Sequence, residues 1–136
     1  MLGSAQFGST RNTVVIADLE AGIGTLTRLD SHTVDIVVIV VEPTPRSIEV
    51  ATRALELAAE RGTARFVIVA SRVLDSADES RLRDAFPGHD LVLVPLDQSI
   101  ADADRNGLSP LDTAPDSPGV VALLGVADRL GLPPIY

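Results

Sequence analysis

The chain has 136 residues, a length typical of one domain, and its hydrophobic residues (46%) are sufficient for an aliphatic core. The formal net charge of −8 opposes binding to nucleic-acid phosphates and to anionic lipid. The sequence has no cysteine, which excludes disulfides and thiolate metal sites. Its eleven basic residues are all arginine, so it supplies no lysine to any mechanism.

The two ends of the sequence differ in composition from the middle. Residues 1–12 are rich in glycine and serine and predict a flexible arm, and residues 132–136 predict an extended tail. Residues 13–131 are predicted to form a single domain. The longest apolar run is too short to cross a bilayer, and no signal peptide is visible, so we expect a cytoplasmic protein without a membrane span.

Four apolar runs rich in β-branched residues predict strands. They are Thr13–Ala17 (TVVIA), Ile36–Val41 (IVVIVV), Phe66–Ala70 (FVIVA) and Leu91–Val94 (LVLV). Because both faces of each run are apolar, the runs are typical of parallel strands that are buried on both sides.

Helical patterns follow the second and third runs. Thr44-Pro45 predicts an N-cap followed by a first-turn proline, and Gly62 predicts the end of that helix. Its apolar face is predicted at Ile48, Ala51, Leu55 and Ala58. Ser76–Glu79 (SADE) is a capping box that opens a shorter helix ending at Pro87-Gly88.

A last helix is predicted to start at Ser117-Pro118 and to end at Gly131. Its apolar face is predicted at Val120, Leu123, Leu124, Ala127 and Leu130. Strands that alternate with helices in this way indicate βαβ units. The predicted fold class is therefore three-layer α/β, with a mainly parallel sheet of about four strands and flanking helices.

Polar side chains cluster where the predicted strands end, and parallel α/β sheets bind ligands beyond that edge. These residues are Asp18, Glu20, Glu42, Ser71, Arg72 and Asp97. Asp18–Gly22 (DLEAG) is the most specific segment, because a carboxylate there can stand beside a magnesium-bound phosphate and a glycine lets the backbone approach it. An ordinary acidic turn between a strand and a helix fits the same segment.

In chain order, DLEAG, VEPTPRSI, ASRV and VPLDQSIADADRNG resemble the deviant-Walker P-loop ATPases of the MinD/ParA class. They are similar in particular to the CooC-type maturation ATPases for carbon monoxide dehydrogenase. The resemblance runs from about Thr13 to Leu130. It implies a P-loop NTPase-like sheet that binds nucleotide, dimer formation, and cytosolic work on a partner protein.

On the phosphate and magnesium side, the resemblance places Asp18 at the Walker B aspartate and Gly22 at the switch glycine. Glu20 lies between them, and Glu42 and Pro43 follow the central strand.

On the base side, the resemblance places Ser71 and Arg72 where the family often has Asn-Lys, a pair that helps to read the base. Pro95 and Asp97 fall on the loop that closes over the base. No metal site formed by protein ligands alone is expected, and both histidines are interpreted as ordinary surface residues.

The sequence departs from the family pattern in having no lysine and only about a dozen residues before the Walker B run. The family has a strand, a phosphate loop and a helix there. We therefore expect a degenerate, non-hydrolysing binding or regulatory module without catalytic residues of its own. On this interpretation, ATP or ADP with Mg²⁺ is the cofactor to expect if a partner completes the site.

Two alternatives stay open: half of a split ATPase whose phosphate loop comes from a partner chain, and a plain interaction domain. A phospho-receiver domain does not fit, since receivers need a lysine. The missing front elements would leave apolar surface uncovered, which predicts a homodimer or a tight complex with a partner protein.

Overall fold

The computed structural model describes residues 13–18, 34–60, 62 and 65–132. Their elements, in chain order, are β1 (Ile36–Val41), α1 (Pro45–Glu60), β2 (Arg65–Val73), α2 (Ser76–Ala85), β3 (Leu91–Pro95), α3 (Gln98–Arg105), α4 (Pro110–Thr113) and α5 (Pro118–Arg129). The predicted arm, the Asp18–Gly22 segment beyond Asp18, and the end of the predicted tail lie outside the described residues.

The described sheet has three parallel strands in the order β1-β2-β3. Val38 pairs with Val67 and Val40 with Val69 across β1 and β2. The α/β class with a parallel sheet and flanking helices is thus confirmed, with three strands where about four were predicted.

The predicted first strand is wrong for the described structure. Residues 13–18 have no regular secondary structure there, and Val14, Val15 and Ile16 are 50%, 54% and 80% exposed. A run that is apolar on both faces is stable as an inner strand only between neighbouring strands and covering helices. Within the described part of the chain, no element covers this run, and Asp18 does not stand at the end of a strand.

Helix α1 forms as its capping pattern predicts. The Ser47 N–H donates to Thr44 Oγ1 at 3.3 Å, and the helix ends before Gly62, whose φ of +72° suits glycine. Its buried face consists of Ala51, Ala54, Leu55 and Ala58. Three small residues on this face let the helix pack closely on β1.

Helix α2 is capped one residue earlier than the capping box predicts. Asp75 is the N-cap, and its carboxylate accepts from the Asp78 N–H at 2.9 Å. The fully buried Leu82 and the nearly buried Phe86 anchor this helix region to the same face of the sheet as α1. Asp75 is favoured over Ser76 as the N-cap because its charged acceptor also interacts favourably with the helix dipole.

The opposite face of the sheet is covered by α5. Val67, Val69 and Val94 form a second buried cluster there, and Ala122 and Val126 of α5 pack against it. Helices on both faces of the sheet give the predicted three layers.

Helix α5 does not cover the side chains of β1 on this face. Its own exposed side is more apolar than predicted. Val38 and Val40, which share a face with Val67 and Val69, are 40% and 66% exposed, so β1 is not buried on both sides. Leu123 and Leu124, which were predicted on the apolar face of α5, are 43% and 36% exposed, so the helix does not bury that whole face. No helix in the described ranges is long and apolar enough to span a membrane.

A candidate nucleotide-side edge of the sheet

The candidate residues in the described part of the chain gather at the carboxyl ends of the strands, with the exception of Asp18. Glu42 and Pro43 directly follow β1, and Pro95 is the last residue of β3. Ser71 and Arg72 lie among the last three residues of β2, which continues beyond the predicted end at Ala70. Asp97 is the N-cap of α3. Glu20 and Gly22 lie outside the described residues, and Asp18 is exposed and outside the sheet.

A β-bulge shapes the end of β2. Ala70 pairs with Leu93 and Val73 with Pro95, so β2 has one residue more than β3 over this interval. The bulge contains Arg72, whose φ of 59° is uncommon for a residue other than glycine. Bulges of this kind re-aim side chains and are frequent beside binding sites.

The re-aimed Arg72 reaches the end of the neighbouring strand. Its Nη1 lies 3.5 Å from Oε1 of Glu42, and the two side chains are 68% and 47% exposed. An ion pair this exposed stabilises a fold by about 0–1 kcal/mol. The guanidinium can therefore leave Glu42 for another anion at little cost.

The turn after β1 is held more firmly than this ion pair. The Glu42 N–H donates to Ser47 Oγ at 2.9 Å, which ties the turn to α1. Arg81 Nη1 donates to the Pro43 carbonyl at 2.9 Å, which ties the same turn to α2. The edge thus presents a fixed turn beside a cation that can move.

The loop after β3 is fixed by its neighbours. The Leu96 N–H donates to the Val73 carbonyl at 2.8 Å, which continues the β2–β3 contact beyond Pro95. The Asp97 carboxylate accepts from the Ser99 N–H at 2.9 Å and from the Gly119 N–H at 2.7 Å. Asp97 thus lies in the predicted loop, but its carboxylate is engaged by two helix N-termini.

These contacts lower the pKa of Asp97 below its ordinary value of 3.8. The Gly119 N–H contributes most, and the Ser117 hydroxyl contributes next. Ser117 Oγ is buried without a hydrogen-bond partner of good geometry, so we attribute its effect to the orientation of its dipole rather than to a formed bond. Asp97 is consequently an anion at neutral pH.

Sequence reasoning did not identify two exposed leucines at this edge. Leu74 follows β2 and Leu96 follows β3, and they are 70% and 58% exposed. Their only signal in the sequence is that each comes directly after a strand. Gly119 was also missed, since its contact with Asp97 joins residues 22 positions apart.

The edge combines an arginine, a hydroxyl, backbone groups and exposed apolar surface. In the described ranges, no three His, Asp or Glu side chains gather as metal ligands. A shallow cavity of about 220 Å³ lies apart, lined by Ser99, Asp102, Ala103, Asn106, Leu108, Thr113 and Ala114. None of the candidate residues lines that cavity.

Two curated proteins are similar to the chain in sequence. It is 34% identical over 106 residues to the carbon monoxide dehydrogenase accessory protein CooC of Rhodospirillum rubrum. The matched stretch covers 77% of this chain and 40% of CooC. It is 38% identical over 74 residues to an uncharacterized ATP-binding protein of Methanocaldococcus jannaschii. That match covers 54% of this chain and 28% of the other protein. No protein-family model matches the chain.

In structure, the chain is similar to the MinD cell division protein of Aquifex aeolicus. The TM-score is 0.59 at 21% identity, over 75% of this chain and 46% of MinD. At this identity the similarity establishes the fold alone. The sequence matches to CooC and to the ATP-binding protein, together with the MinD-like fold, make the chain a relative of the MinD/ParA-like P-loop ATPases.

Proposed function

We propose that the chain is a nucleotide-side module of the CooC and MinD type that binds the base end of ATP or ADP and does not hydrolyse nucleotide by itself. The observation that carries this proposal is the 34% identity to CooC over 106 residues, a stretch longer than the three-stranded sheet with its connecting helices. We expect the module to act in the cytoplasm. Because the chain spans 40% of CooC, the activity of that whole protein is not carried over.

The base end is favoured over the phosphate end by the residues that the edge presents. Leu74 and Leu96 offer exposed apolar surface on which a heterocycle can pack. Ser71 lies in the bulge of β2, three residues before Leu74. Arg72 is a cation at this edge, held by a weak ion pair. Phosphoryl transfer depends on concentrated positive charge at the phosphates, and this chain has no lysine and a net charge of −8.

The residues present fit a magnesium ion only when the phosphates of the nucleotide supply part of its ligands. The described residues gather no set of three metal-binding side chains, and Asp18 is a single exposed carboxylate. Mg²⁺ commonly keeps several waters and binds phosphate oxygens with one or two carboxylates. We therefore assign Asp18, Glu20, Gly22, Glu42 and Pro43 to the phosphate and magnesium side as candidates, and no protein-only metal site.

Calorimetric and NMR titrations of the purified chain with Mg-ADP and Mg-ATP test this proposal. We expect dissociation constants weaker than about 10 μM, amide shifts concentrated at residues 71–74 and 96–97, and no phosphate release. Affinity tighter than this value, or turnover by the chain alone, would contradict the proposal that the chain does not function as an ATPase by itself. The absence of shifts at that edge at millimolar nucleotide would contradict base binding.

A charge-matched pair of variants gives the titration its control. Arg72→Gln removes the cation at the edge, and Arg53→Gln removes an exposed cation from the middle of α1. We expect the first variant to weaken Mg-ADP binding and the second to bind as the parent chain does. Equal effects of the two variants would indicate nonspecific attraction between arginine and phosphate.

A second candidate function is half of a split ATPase, in which a partner chain brings the phosphate-binding lysine. The observation that favours it is the uncovered apolar surface of β1, where Val38 and Val40 are 40% and 66% exposed. A partner that completes the sheet and its cover would bury these side chains. A gain of ATPase activity on mixing with a lysine-bearing P-loop protein encoded nearby would support this candidate, and no gain would count against it.

The same surface leads us to propose that the chain associates with a second copy or with a partner protein. Exposed valines on an outer strand of the described sheet offer both apolar area and a strand edge for pairing.

A further inference from the structure

The carboxylate of Asp97 is hydrogen-bonded at both oxygens to backbone N–H groups of two different helices. Oδ1 accepts from Ser99 in the first turn of α3, and Oδ2 accepts from Gly119 in the first turn of α5. N–H groups at these positions have no acceptor within their own helix. One side chain therefore satisfies the starts of two helices and joins the loop after β3 to α5.

The packing around this contact requires glycine on the α5 side. A Cβ atom at Gly119 would lie 2.7 Å from Ile100 Cδ1 and 2.8 Å from Asp97 Cβ. Gly119 and the next residue, Val120, are both buried. The first turn of α5 is thus pressed against the loop and α3, with no room for a larger residue.

We propose that Asp97 is a positioning residue, which fixes the loop after β3 against α5 and does not itself contact the ligand. This inference rests on the proposed function, in which that loop lies over the base of a nucleotide. The loop then presents Leu96, 58% exposed, as its ligand-facing side chain.

The energetics of the contact favour positioning over ligand binding. A ligand that drew the carboxylate away would leave the Ser99 and Gly119 N–H groups without their acceptor, and Gly119 is buried. The carboxylate also carries the sign of charge that helix N-termini stabilise and that nucleotide phosphates repel. Arg72, another polar candidate of this edge, is held less firmly, since its contact with Glu42 is an exposed ion pair.

Two variants disturb this contact from opposite sides and separate the two roles. Asp97→Asn removes the charge and one of the two acceptors, whereas Gly119→Ala places a Cβ against Asp97 and Ile100 and keeps the carboxylate charge. Asp102→Asn is the control, because the Asp102 carboxylate contacts two side chains of its own helix at the surface, Gln98 and Arg105. The readouts are amide hydrogen exchange of the free protein and the Mg-ADP affinity.

We expect both test variants to speed exchange of the backbone amides at positions 99 and 119 by about tenfold or more, as loss of a helix cap does. Both should weaken Mg-ADP binding to a similar extent, about three- to tenfold. Asp97→Asn should bind better than Asp97→Ala, because asparagine keeps one acceptor. The control should match the parent chain in both readouts.

A direct role of Asp97 in ligand binding would give a different pattern. Weaker binding in Asp97→Asn with parental binding in a folded Gly119→Ala would overturn the inference. So would unchanged exchange of both amides in Asp97→Asn, a measurement that needs neither ligand nor the glycine variant. If no variant and no parent chain binds Mg-ADP, the proposed function fails, while the exchange data still decide whether Asp97 positions the loop.

Discussion

Arg72 and Glu42 join the carboxyl ends of β2 and β1, with 3.5 Å between Nη1 and Oε1. The contact exists because a bulge in β2 turns Arg72 toward the neighbouring strand, and the backbone there has a φ of 59°. A residue with a Cβ is disfavoured in this conformation by about 1–2 kcal/mol. Arg72 is therefore kept at a strained position at the edge that we propose to bind nucleotide.

This strain predicts that Arg72→Gly is more stable than Arg72→Ala by about 1 kcal/mol. Both variants lose the ion pair with Glu42, so the comparison isolates the backbone conformation. Urea denaturation measures the two free energies of unfolding. Both variants should lose affinity for Mg-ADP equally, and equal stabilities of the two would argue against a strained position.

The sequence predicts the βαβ framework well because that framework depends on local signals. Apolar runs locate β1, β2 and β3, and the Thr44-Pro45 cap locates the start of α1. The predicted strand at residues 13–17 fails because a run's burial depends on which elements lie beside it, and composition does not report that. Helix α3 was not predicted, although Asp97 directly before it is a residue type that favours the N-cap position.

The sequence predicted where several of the candidate residues lie in the fold, and their role stays a prediction. Strand ends can be read from the sequence, so Glu42, Ser71, Arg72 and Pro95 fall at the sheet edge as expected. The bulge at Arg72 and the engagement of Asp97 by α5 could not be predicted, because both depend on contacts between distant parts of the chain.

The uncovered face of β1 predicts self-association or partner binding that Val40→Thr weakens. Threonine keeps the β-branched shape that suits a strand, so stability should change by no more than about 0.5 kcal/mol. Val50→Thr is the control, because Val50 is similarly exposed, at 51%, but lies on α1. Light scattering at micromolar concentration measures the association, and a monomeric parent chain would contradict the homodimer.

The Asp97 contacts predict that the free energy of unfolding depends on pH. The pKa of Asp97 is lowered in the folded protein, chiefly by the Gly119 N–H, so folding favours its charged form. This stabilisation is fully present above the ordinary pKa of 3.8 and is lost as the pH falls through the lowered value.

Asp97→Asn should therefore be less stable than the parent chain at neutral pH, and the difference should shrink below about pH 3.8. Denaturant unfolding at a series of pH values measures it. The control, Asp102→Asn, removes a carboxylate from surface contacts and should change stability by no more than about 0.5 kcal/mol at neutral pH. A pH-independent difference for Asp97→Asn would mean that the charge of Asp97 does not stabilise the helix starts.

Two glycines of α5 predict opposite effects of the same substitution. Gly119→Ala places a Cβ against Ile100 and Asp97, and we expect it to lower the free energy of unfolding by about 1–3 kcal/mol, as overpacking does. Gly125→Ala meets no heavy atom within 4 Å in the described structure, so the better helix propensity of alanine should raise stability by about 0.5–1 kcal/mol. Urea denaturation of both variants measures the contrast. A Gly119→Ala chain as stable as the parent chain or more stable would disprove the close approach of α5 to the loop after β3.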